Sequence, residues 1–132
     1  MFGFSVLFGR SREVRRLDDA LRAAGLHPGL VPDAVKIAAL KLLKEAGQGV
    51  SPAPSACGVA AEILAYCILG DQGFQEANGP GATRRLEGRL QAALDVGDSL
   101  DARLVLLTLH AGVIHHALMT RYDLHAGDAP EK

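Results

Sequence analysis

A chain of 132 residues is long enough for one domain with one core that needs no covalent staples. Ala, Leu and Arg dominate, aromatics make up only 5% and β-branched runs are scarce, which excludes a sheet protein and points to an all-α one. A formal net charge of −1 excludes general nucleic-acid binding, although residues 1–50 are net basic and residues 51–132 net acidic.

The arginine-over-lysine bias points to a GC-rich, bacterial coding source. Cys57 and Cys67 lie ten apart in one expected helix, ~15 Å along its axis, which is beyond disulfide reach. They read as small buried apolar residues of a reducing compartment. The apolar stretch 1–9 has no basic residue ahead of it and does not read as a secretory leader. The uncharged run Leu104–Thr120 is shorter than the ~20 residues a membrane span needs. A cytoplasmic protein is expected.

Residues 1–10 form an apolar N-terminal arm carrying Phe2, Phe4 and Phe8. A helix is expected over 12–24, with Ser11 as N-cap, Val14, Leu17, Leu21 and Ala24 inward, and Gly25 ending it ahead of Pro28. The next starts at Pro32 and runs to Gly47. Val35, Ala38, Ala39, Leu42 and Leu43 form its buried stripe, with Lys36, Lys41, Lys44 and Glu45 exposed. Ile37 and Leu40 lie off that stripe and need cover. After a Pro/Gly-rich loop a small-residue helix is expected over 56–70, extendable by a turn or two. An amphipath over 82–95 points Leu86, Leu90, Ala93 and Leu94 inward.

The stretch Ser99–Tyr122 is apolar on nearly every side, with Asp98 and Asp101 as a capping pair. It reads as one central helix of roughly 35 Å. Gly112 within it is expected to mark a close crossing with the helix 56–70. Residues 123–132 form a polar tail. The whole, 1–132, is a single-domain bundle of about five helices around a central apolar C-terminal helix (about 99–122). The first two helices form a hairpin on the other three.

Candidate ligand-binding residues are His110, His115 and His116 with Glu62 and Tyr66. The three histidines point more than ~90° apart on one helix, so no two share a metal from that helix alone. His115 is expected beside the Gly112 crossing, hydrogen-bonded to Glu62 or Tyr66, a cluster able to move a proton. Gly79–Arg85 puts a flexible loop, Thr83, Arg84 and Arg85 at a helix start, the chemistry of an anion site. Arg10, Arg12, Arg15 and Arg16 after the apolar arm suit a membrane-surface contact through 1–16, diluted by Glu13, Asp18 and Asp19. No serine triad, HExxH, CxxC or calcium-loop pattern is present. The expected function is therefore a non-catalytic helical interaction or regulatory module, homo-oligomeric or binding another protein, with no cofactor. The alternative is a bundle that binds a small molecule, metal or haem through histidines of the last helix.

Overall fold

The computed structural model describes residues 12–49 and 52–125. The arm expected over 1–10, the Ser11 cap and the end of the tail lie outside these residues. Among the described residues six α-helices form one all-α domain, with no strand. Helix α1 (Arg12–Ala23) buries Leu17 and Leu21 and ends where expected. Gly25, at φ +92°, lets its N–H reach Arg22 O and the Leu26 N–H reach Leu21 O, the paired bonds of a Schellman motif. A 3₁₀ turn, Pro28–Leu30, follows. The Nδ1 of His27 accepts the Gly29 N–H there at 2.8 Å.

Helix α2 (Asp33–Ala46) opens behind Pro32 and returns against α1. Two ion pairs set the hairpin antiparallel: Glu13–Lys44 at 2.8 Å and Asp18–Lys36 at 2.9 Å. The second corrects an expectation. Lys36 is buried rather than exposed, because its ammonium reaches the Asp18 carboxylate between the two helices and its stem completes the packing. Leu40 finds its cover, whereas Ile37 stays 58% exposed.

Helix α3 (Pro54–Asn78) starts two residues earlier than expected and runs on through the Gly-rich stretch, with a break in helical geometry at Gly70 (φ +83°, ψ 168°). Every residue from Ile63 to Cys67 is buried, the pattern of a helix enclosed on all sides. It packs against each of the other five helices. Helix α4 (Pro80–Val96) follows after Gly79 and buries Thr83, Leu86, Leu90 and Ala93.

The expected central helix 99–122 does not exist as one piece. Helix α5 (Leu100–His110) and the short α6 (His116–Arg121) divide it. Ala111 caps α5 and Gly112, at φ +74°, turns the chain. The Gly112 N–H reaches Leu109 O and the Val113 N–H reaches Thr108 O, a second Schellman motif. Gly112 is exposed, and a Cβ there would meet nothing within 4 Å. It is a helix stop and not a crossing point, so the central position belongs to α3. At the other end of α5 the N-cap is Ser99, whose Oγ accepts the Ala102 N–H at 3.1 Å. The two aspartates expected to cap instead pair with Arg103 (Asp98, 2.9 Å) and Arg89 (Asp101, 2.6 Å).

Candidate functional site

The break at Gly70 and the break at Gly112 meet. With Gly70 out of helical geometry, the carbonyl of Cys67 is left to accept the His115 N–H, at 2.7 Å. The His115 ring lies directly over Gly70, where a Cβ would come within 2.9 Å of its Cγ. Its Nδ1 accepts the Ala117 N–H at 3.1 Å and so caps α6. His116 stacks on the same ring, with centroids 5.0 Å apart. His115 is thus a structural hinge between α3 and α6.

The other expected site residues go to separate places. Tyr66 is fully buried, 0% exposed, and its hydroxyl turns to Glu87 on α4 (3.0 Å) and to Tyr122 after α6 (2.9 Å). A phenol has one proton. Tyr66 keeps it and donates it in a hydrogen bond to the Glu87 carboxylate, so Tyr122 donates to the Tyr66 oxygen. Arg121 closes the group, reaching Glu87 at 3.2 Å and Asp71 at 3.5 Å. Glu62 sits half-buried on the α1–α3 side, in a shallow depression with Ala20, Ala24 and Ser55. His110 and His116 are exposed at the ends of different helices. Thr83 is buried and donates its hydroxyl back to the Gly79 carbonyl at 2.8 Å, while Arg84 and Arg85 face outward. No group of three or more His, Cys, Asp or Glu side chains able to hold a metal exists among the described residues.

Glu87, Arg121, Asp71 and Tyr122 join Tyr66 from three separate helices and the residue after the last one. No spacing in the chain announces them, because Glu87 and the neighbours Arg121 and Tyr122 reach Tyr66 only by packing. Chemically the cluster holds protons tightly. Burial first, and then the hydrogen bond donated to the Glu87 carboxylate, push the Tyr66 phenol far above its ordinary value. Burial also raises Tyr122. The thiols behave alike: burial pushes Cys67 up to about 12, and burial raises Cys57. None of these groups is a nucleophile at neutral pH. The network is a clamp that holds α6 on α3 and α4.

The surface offers a larger feature, a groove of about 690 Å³ between α2 and α5. Its floor is Ala38, Leu42, Leu106 and Leu107. Its rim carries Lys41, Glu45, Asp98, Arg103 and His110. The groove continues past Asp98 toward Ser99 and Leu100. Ile37 stands one turn before Lys41 on α2, and Val96, 75% exposed, precedes Gly97 at the groove's end. The four floor residues are only half-buried. An apolar floor with a charged rim of both signs is how a protein contact surface is built.

Comparison with known protein families, curated proteins and solved structures finds no match for this chain. No helix among the described residues is long and apolar enough to cross a membrane.

Proposed function

We propose that this protein is a non-catalytic helical interaction module whose contact surface is the α2–α5 groove, and that it self-associates through that face. The observation that supports this is the apolar floor of Ala38, Leu42, Leu106 and Leu107, flanked by Ile37 and Val96. Large side chains left on the surface beside an open groove mark a face that is covered in use. The rim carries both signs, so two copies of it can pair charge with charge.

Sedimentation equilibrium over a range of concentrations tests this. The full chain should associate, and Ile37→Glu with Val96→Glu should weaken association roughly tenfold or more while leaving the fold intact, since both side chains are exposed. A strict monomer, or association that ignores both substitutions, overturns it. His110 on the rim favours a second reading, binding of a small apolar molecule in the same groove. A ligand-dependent rise in melting temperature that His110→Ala abolishes would distinguish it.

A further inference from the structure

We infer that the outer face of α1 lies against an anionic lipid bilayer, with Arg12, Arg15 and Arg16 holding the phosphates of its headgroups. This contact is separate from the α2–α5 groove and makes no use of it.

The charges of α1 divide by face. At about 100° per residue, Arg12, Arg15, Arg16, Asp19 and Arg22 fall within an arc of roughly 120°, opposite the buried Leu17 and Leu21. All five are exposed. The other two acids of the helix are drawn off by α2: Glu13 by Lys44 at 2.8 Å, and Asp18 by the buried Lys36 at 2.9 Å. Folding thereby removes most of the acid that dilutes the basic cluster in the sequence. Asp19 alone stays on the arc, where it pairs with Arg22 at 3.2 Å. Arg12, Arg15 and Arg16 make no ion pair with any described residue.

Stability does not account for these three guanidiniums. They stand within the first five residues of α1, at the end where the helix dipole repels a cation. An arrangement that breaks a local rule with no compensating partner in the fold marks a place of contact.

Shape and composition select the partner. The arc is the convex side of a helix and runs about 15 Å from Arg12 to Arg22. It can lie along a flat array of phosphates but cannot enclose a soluble anion. A protein contact is built round a buried aromatic or aliphatic anchor, and the only apolar residue on this arc is Ala23. A bilayer needs no such anchor, because each arginine near an anionic surface strengthens binding roughly fivefold through charge alone. A guanidinium also meets a phosphate with two parallel N–H donors. The net charge of −1 speaks against a nucleic acid. With residues 51–132 net acidic, a plane that touches α1 is favoured over a polyanion that wraps the molecule.

Cosedimentation of the full chain with lipid vesicles tests the inference. The protein should bind vesicles made of equal parts phosphatidylglycerol and phosphatidylcholine, and not vesicles of phosphatidylcholine. Salt at ~1 M should release it, because screening then cuts the reach of a surface charge to about 3 Å. Arg15→Gln with Arg16→Gln should weaken binding roughly tenfold or more. Arg84→Gln with Arg85→Gln removes the same charge from the exposed face of α4, which packs on α3 and α5, and should leave binding nearly unchanged. All four side chains are exposed, so both pairs should keep the fold, which circular dichroism checks. No binding to the anionic vesicles, equal binding to both kinds, or an equal fall for the two pairs overturns the inference. Tighter binding to a duplex oligonucleotide than to the vesicles overturns it as well. Self-association through the groove is read without lipid, so either reading can fail while the other stands.

Discussion

At the scale of single residues, two glycines at positive φ differ in what surrounds them. Gly112 stops α5 at φ +74° with open space around it. Any L side chain there carries the left-handed penalty of about 1–2 kcal/mol, and bulk adds nothing. Gly112→Ala and Gly112→Leu should therefore lose stability by similar amounts, read as equal falls in the urea midpoint. At Gly70 the same backbone penalty applies, and a Cβ also meets the His115 ring. Gly70→Ala should cost about 2–4 kcal/mol, because strain and overpacking add at one site. A Gly70→Ala variant no weaker than Gly112→Ala would mean that the ring moves aside freely.

At the scale of elements, α6 is too short to hold itself. A single six-residue helix is far below the length that is stable alone. Three things keep it in place: the His115 cap, the buried Leu118, and the Tyr66–Glu87–Tyr122–Arg121 group. Leu118→Ala should cost about 2–4 kcal/mol by leaving a cavity under α6. Tyr66→Phe should cost about 1–2 kcal/mol, because both Glu87 and the Tyr122 hydroxyl lose a partner. Amide exchange should separate them from a global effect, with α6 amides losing protection before those of Ile63–Cys67 in α3. Uniform loss across both helices would show that α6 and α3 open as one unit.

At the scale of the molecule, the buried acids predict how stability responds to alkali. In the unfolded chain the Cys67 thiol titrates near its ordinary 9.0, whereas in the fold burial holds it at about 12. The raised value makes the folded contribution complete below pH 9, and that contribution is lost as pH rises from 9 toward 12. Cys57 and Tyr66 are raised by burial and act in the same direction. The unfolding free energy should therefore fall steeply above about pH 9, and Cys67→Ala should flatten that fall even though it lowers stability at pH 7. Denaturant titrations at a series of pH values give the slope. A stability that does not change between pH 9 and 11 would mean that these groups are hydrated in solution.

Class and most element positions were legible in the chain because they depend on local signals. The Gly25 stop, the Pro32 start and the amphipathic stripe of α4 each rest on backbone chemistry or on a 3.6-residue period. The motif that ends α1, Ala24-Gly25-Leu26, recurs as Ala111-Gly112-Val113. Only the first is followed by a proline, at Pro28, that forbids continuation. A glycine in an apolar run is compatible with a helix or with its end. Here the choice fell to the end because the Cys67 carbonyl, freed by the break at Gly70, was there to receive His115. What sequence by itself determined was an all-α chain with these starts and stops, since capping and periodicity act within a few residues. Only the tertiary structure decided that α3 and not the C-terminal stretch is central, that Lys36 is buried, and that Tyr66 meets Glu87 and Tyr122 instead of His115. Those contacts join residues far apart in the chain, and their energies appear only when helices dock.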